Sequence, residues 1–345
     1  MSLVRLSIVD LSVVAPGTSE SEALRDSRAL AVRAESLGVH RVWFAEHHIG
    51  QMGASHHPEL LITAVAQATR SIRVGSGAVL MNHASPLMVA ERYRQLGAMF
   101  PGRIDLGMGR AGTGQLIDLA LQQDRRQPAV IDHEQQVAET LAWVHDGFPE
   151  GHPFAALPLL PSVPEKPETW LLGSSRQSAH LAAGLGIGYA FAAFINPRDA
   201  VQALREYRSA FTPGVSGLAE PRAILAANLT VGEDEADAGR LVASAKGYYA
   251  RLARGQVGTG VPAAGVALTE LSAAELDEPT LPRRGVWPKL LAGSPEQIGE
   301  ALRELLDASG ADEVMAQSMI AQPGDRQESL ARLAGVLGVV PRPLS

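Results

Sequence analysis

The 345 residues include no cysteine, which excludes disulfides, thiolate metal sites and thiol catalysis. Long apolar runs are missing as well, and nothing approaches the roughly 20 residues that a membrane-spanning helix needs. Basic residues are not in excess. Thirty Lys and Arg stand against 37 Asp and Glu, and the formal net charge of −7 speaks against a nucleic-acid partner. The strand-like stretch Leu3–Val9 begins almost at the first residue, which leaves no room for a signal peptide. A cytoplasmic enzyme with a small-molecule substrate fits these absences. The 46% hydrophobic content is ample for a large buried core.

Strands and helices alternate along the chain. Leu3–Val14 is rich in β-branched residues and stops at Pro16-Gly17. Thr18 or Ser19 can cap a helix that runs to Leu37 and ends at Gly38. Next come the strand Arg41–Ala45 and a helix from Pro58 to Thr69. The unit repeats as Ile72–Leu80 with Pro86–Met99, then as Arg103–Met108 with helices over Gln115–Gln123 and Glu134–His145. Six prolines from 147 to 168 forbid a regular helix or inner strand, so that segment reads as a long ordered loop with room for a short edge strand. Thr169–Leu172, Gly188–Ala193, Arg222–Val231 and Asp312–Ser318 are further strands, each followed by a helical stretch. Between Gly255 and Gly285 periodicity fails, and a stretch that long reads as a mobile lid or insertion. Eight β-then-α units in one domain, 1–345, predict a closed (β/α)8 TIM barrel of the α/β class. An open doubly wound sheet is the alternative.

In parallel α/β folds the chemistry sits beyond the carboxyl ends of the strands. Arg41–His48 reads Arg-Val-Trp-Phe-Ala-Glu-His-His, a buried-strand sequence that ends in a carboxylate and two imidazoles. Adjacent strand residues point to opposite faces, so one of His47 and His48 faces the barrel mouth as an acid, base or hydrogen-bond donor. That same geometry, with no His-Glu-x-x-His motif, argues against a metal site. Gly75 and Gly77 inside the third strand mark either tight barrel packing or a flat ring lying against bare backbone.

The fourth strand carries Gly107-x-Gly109-x-x-Gly112, a literal dinucleotide fingerprint that lies mid-chain, with no acidic residue ending a second strand. Arg110 is better read as a phosphate clamp, with a surface ion pair as the plain alternative. Gly173-Ser174-Ser175-Arg176-Gln177-Ser178 leads straight into a helix, where free amides and hydroxyls favour an anion. N-capping alone would need only one of those serines. One phosphate is the economical reading, and FMN has one.

Trp43–His48, Val74–Val79, Pro101-Gly102-Arg103 through Gly109-Arg110, Gly173–Ser178 and Gly293-Ser294-Pro295-Glu296 occur in order over nearly the whole chain. Together they resemble the bacterial luciferase-like flavin monooxygenases. Asn82–Pro86 and Ser174-Ser175 with Ala182-Ala183 look most like the branch of short homologues that includes antibiotic-pathway monooxygenases. The resemblance implies a barrel, usually a homodimer, that receives reduced FMN (FMNH2) from a separate NAD(P)H:flavin reductase. In that family the reduced flavin reacts with O2 to a C4a-hydroperoxide, which oxygenates a substrate in the barrel mouth. By position, His47 matches the active-site histidine, and Gly77-Ala78 matches a non-proline cis peptide beneath the flavin ring. Arg110 matches the phosphate arginine, and Ser174, Ser175 and Ser178 match the phosphate turn. Gly109 stands where luciferase has its reactive cysteine, Ser174 where it has a carboxylate, and Ala192-Ala193-Phe194 make the pocket more apolar.

Two other readings remain open on the sequence: F420-dependent hydride transfer on the same barrel, and a flavin-binding barrel without catalysis. A Rossmann dehydrogenase comes last. Met52, Met81 and Phe194 in the loops suggest a mostly apolar organic substrate.

Overall fold

Ten strands build one sheet: β1 (Arg5–Asp10), β2 (Arg41–Phe44), β3 (Arg73–Ser76), β4 (Val79–Leu80) and β5 (Ile104–Gly109), followed by β6 (Glu168–Gly173), β7 (Gly188–Ala192), β8 (Ala223–Val231), β9 (Leu290–Gly293) and β10 (Glu313–Gln317). The computed structural model describes residues 4–49, 52–110, 115–122, 125, 132–256 and 258–341. All ladder pairings are parallel, and β10 pairs with both β1 and β8, which closes a ring in the order β1-β2-β3-β5-β6-β7-β8-β10. The predicted (β/α)8 TIM barrel is therefore the observed fold, and the open sheet is set aside. β4 continues the line of β3 along β5, and β9 adds to the far end of β8 outside the ring.

The period-2 alternation of each strand decides which side chains fill the barrel. Val42, Phe44, Leu106, Leu171, Tyr189, Phe191, Leu225 and Val314 face outward into the core shared with the helices. Inward, the amino-terminal floor is ionic. Arg41 donates to Asp105 at 2.7 Å and to Glu313 at 2.8 Å, and Arg73 donates to the other oxygen of Asp105 at 2.6 Å. Burial works to raise the Asp105 pKa, but Arg41 and Arg73 hold it below its ordinary value. Glu313, equally buried, is raised instead. Above this floor Trp43 and Trp170 meet edge to face at 5.7 Å among Val9, Ala190, Ile224 and Met315. These rings fill the lower half of the barrel interior, and its larger cavity opens at the carboxyl ends.

Close strand approach explains two glycines. A Cβ at Gly107 would collide with the Ser76 carbonyl, and one at Gly109 would lie 2.9 Å from the Ala78 Cβ. Gly107-x-Gly109 is therefore a packing feature of a barrel strand and not a dinucleotide turn; Gly112 lies outside the described residues. The strand expected over Ile72–Leu80 divides into β3 and β4 around Gly77-Ala78, whose peptide bond is cis.

The proline-rich segment carries one 3-10 turn, Pro153–Ala156, and no strand. The Leu159 and Pro161 carbonyls accept from the buried Arg94 at 3.0 and 3.2 Å. The 255–285 segment is less irregular than its sequence suggests. It holds the helices Ala264–Glu270 and Ala273–Leu276, and Ala267 and Leu271 pack on Ala243 and Ala250 of the helix Glu235–Ala253. Lys246 of that helix donates to the carbonyls of Leu276 and Glu278 at 2.7 and 2.8 Å. No helix among the described residues is long and apolar enough to cross a membrane.

Candidate active site

A cavity of about 1310 Å³ opens at the carboxyl ends of the strands, where β1, β4, β5, β6, β7, β10 and the turn after β2 all contribute lining. It gathers His47, Gly77, Ala78, Arg110, Ser174, Ser175 and Ser178, the residues that the sequence assigns to catalysis and cofactor binding.

At the end of β2 the two imidazoles differ in their commitments. His48 shares a 2.8 Å hydrogen bond with Glu46 Oε1, while Glu46 Oε2 accepts from the Leu80 amide at 2.9 Å. Glu46 thereby ties the end of β2 to β4 and fixes the His48 ring. His47 has its backbone amide donating to the Ser55 carbonyl at 2.9 Å, and its buried Nδ1 has no partner among the described residues. Burial holds the His47 pKa below the usual histidine value, and the nearby His48 and His56 add to that. The lowered pKa favours the neutral imidazole, and His47 lines the cavity with its buried Nδ1 uncommitted among the described residues. His56 stacks on His48 at 6.4 Å, so these imidazoles form one cluster at the mouth. No group of side chains suited to hold a metal occurs among the described residues.

Across the cavity, Arg110 follows β5 directly. It is exposed and has no carboxylate partner among the described residues. The Ser174–Ser178 turn follows β6 and starts the helix Arg176–Leu185. Ser175 and Ser178 cap that helix reciprocally: Ser175 Oγ accepts from the Ser178 amide at 3.2 Å, and Ser178 Oγ accepts from the Ser175 amide at 3.4 Å. Tyr189 adds a 2.9 Å bond between its hydroxyl and Ser178. Capping thus engages two of the three serines, and the Ser174 hydroxyl is left uncommitted among the described residues. Arg176, the other cation here, is neutralised by Glu206. Among the described residues, a guanidinium without a carboxylate partner, an uncommitted hydroxyl and first-turn amides not used within the helix lie on this side, a donor set whose chemistry suits an anion.

Several lining residues escaped the sequence reading. His133, at the start of the helix His133–His145, has a buried Nδ1 without a partner among the described residues, and burial followed by Arg110 lowers its pKa. Gln317 ends β10 inside the cavity. The rule that strand ends carry function would have found Gln317, had it been applied to the last strand as it was to the second. His133 follows a stretch with no periodicity and gave no such signal. Two residues placed in the pocket do not belong there. Met81 is fully buried in the core, and Met52 packs on an apolar cluster around Leu11 and Val13. Of the three, Phe194 alone lines the cavity. None of the described residues of 255–285 lines it.

A family model described as luciferase-like monooxygenase matches residues 4–313. The chain is 38% identical over 315 residues to the uncharacterized protein YwcH of Bacillus subtilis (strain 168), covering 91% of this chain and 93% of that one. It is 36% identical over 306 residues to the N-acetyl-S-alkylcysteine monooxygenase of the same organism, covering 88% and 89%. The solved structure of apo-MsnO8 matches with a TM-score of 0.87 at 36% identity, over 98% of this chain and 100% of that one. The barrel, the chemistry-bearing strand ends and these likenesses agree: the chain is an oxidoreductase that belongs to the luciferase-like monooxygenase family.

Proposed function

We propose that the protein is an FMN-dependent monooxygenase that takes reduced FMN from a separate NAD(P)H:flavin reductase. With O2 as co-substrate, it places one oxygen atom on a small, mostly apolar organic molecule. The observation that carries this reading is the division of the cavity. Among the described residues, a cation without a carboxylate partner, Arg110, and the uncommitted Ser174 hydroxyl stand on one side, and the imidazole of His47, with an unpartnered ring nitrogen, follows the end of β2. A single anion site suits a cofactor with one phosphate, and Gly77 and Ala78 leave a flat, side-chain-poor wall for a ring.

When bound, reduced flavin supplies the two electrons with which O2 is split, one oxygen going to the substrate and the other to water. The protein's own part is to bind, shield and move protons. Arg110 and Ser174 hold the phosphate. Val9, Leu11, Ala45 and Leu172 exclude water from the interior. His47 accepts or returns a proton from its neutral state, and Glu46 keeps the neighbouring His48 oriented.

Replacing His47 with alanine tests the division of labour. The variant should retain its affinity for reduced FMN and release hydrogen peroxide faster on aeration. Outright loss of flavin binding would place His47 in the flavin-holding scaffold and contradict the assignment.

A further inference from the structure

The far wall of the cavity carries one polar group that the flavin reading does not use. Residues from β1, β7, β10 and the turns that follow them are Val9, Leu11, Ala192, Phe194, Ile195 and Gln317. Gln317 alone among these six offers a side-chain hydrogen-bonding group. Alternation places it inward, in line with Met315 and Glu313 of the same strand. Its neighbour in register on β8 is Asn228, also inward and 1% exposed. Asn228 Nδ2 donates to Gln317 Oε1 at 3.3 Å. One bond between two side-chain amides cannot satisfy both. Asn228 Oδ1 is buried with no partner among the described residues. The Gln317 amide nitrogen makes no hydrogen bond among the described residues, is not one of the buried unpartnered atoms, and belongs to a residue that lines the cavity. Asn228 spends its amide donor on Gln317 Oε1, which fixes that side chain and leaves the Gln317 N–H as a donor available to whatever fills this apolar wall.

Ring order fixes where this group lies relative to the anion site. In the sequence β1-β2-β3-β5-β6-β7-β8-β10, β10 stands four places from β5, and β1 stands four places from β6. Arg110 follows β5 and the serine turn follows β6. Gln317 therefore sits diametrically across the barrel from the phosphate side, on the wall left for the substrate.

We infer that Gln317, oriented by Asn228, is the specificity-determining contact of the substrate subsite, and that its amide N–H binds a carbonyl or carboxylate oxygen of an otherwise apolar substrate. This rests on the flavin occupying the Arg110 side, as proposed above.

The test uses acetophenone and isopropylbenzene, two probes of matched shape of which only the first carries a carbonyl oxygen. Binding is measured by anaerobic titration calorimetry on the full chain, without and with reduced FMN, for the wild type and for Gln317→Met. The substitution keeps the volume and removes the amide. Acetophenone should bind about tenfold more weakly to the variant, the worth of one buried hydrogen bond. Isopropylbenzene affinity should hold or improve, and FMN affinity should stay unchanged. Gln317→Glu retains an acceptor but no donor and should also lose acetophenone, which keeps the question decidable if the methionine variant does not fold. Equal responses of the two probes, or wild-type protein that fails to bind acetophenone at millimolar concentration, would overturn the inference. Loss of FMN affinity in Gln317→Met would assign the residue to the flavin and overturn it too. Failure of the wild type to bind reduced FMN would strike the flavin reading separately, since the probe titrations without flavin still report on Gln317.

Discussion

Arg110→Ala isolates the anion site from the rest of the cavity. The guanidinium is exposed, lies beside the serine turn and has no carboxylate partner among the described residues, so its removal leaves no buried charge behind. A charge-assisted hydrogen bond contributes about 1.5–3 kcal/mol, and solvent at this exposed position pulls the figure toward the low end. At about 1.4 kcal/mol per factor of ten, reduced FMN should bind about 10- to 100-fold more weakly. Reduced riboflavin has the same ring without the phosphate and should bind the variant and the wild type alike. Arg110→Lys keeps the charge without the bidentate fork and should fall between them. Raising the salt concentration should weaken FMN binding to the wild type more than to the alanine variant, because the lost term is screened. The assay is an anaerobic fluorescence titration with each reduced flavin. Equal weakening for FMN and riboflavin, or none for either, would refute the phosphate role of Arg110.

Two further consequences concern stability. Burial pushes the His145 pKa down to about 4, and His40 falls to about 3 for the same first reason. Between the unfolded value of about 6.5 and those folded values, the unfolded chain holds protons that the folded chain does not, so stability drops as pH falls through this window. The melting temperature should decline from pH 7 to pH 4, and His145→Gln, which can keep a bond to Thr169 Oγ1 without titrating, should make that decline shallower; an unchanged slope would contradict this. Lys246→Met removes both donations to the Leu276 and Glu278 carbonyls, and trypsin or another protease should then cut within 255–285 faster, at a cost of about 1–3 kcal/mol in stability.

The barrel was legible because its cause is local and repeated: β-branched runs, helix caps and glycine stops recur through the chain, and they fix element type without any knowledge of contacts. The floor was not legible. Arg41, Asp105 and Glu313 are 272 residues apart at their extremes and read singly as surface charges, yet barrel closure brings them into one buried cluster. The site divides in the same way. Glu46, His47, Arg110 and Ser174 stood out because each breaks an apolar strand at its end. The serine turn held more than its sequence could show, since Ser175 and Ser178 satisfy each other and only the structure tells which hydroxyl is left over. Met52 and Met81 misled because a flexible apolar side chain suits a core as well as a pocket. The 255–285 segment hid two helices because short helices held by Lys246, Arg251 and Arg254 need little periodicity of their own.

The most direct test of the central claim is an anaerobic titration of the purified protein with reduced FMN, run beside reduced F420, followed by admission of O2. Saturable binding of reduced FMN and not of reduced F420, with hydrogen peroxide released more slowly than from free reduced FMN, is the predicted result. Binding of reduced F420 alone, or peroxide release at the rate of free flavin, would contradict an FMN-dependent monooxygenase.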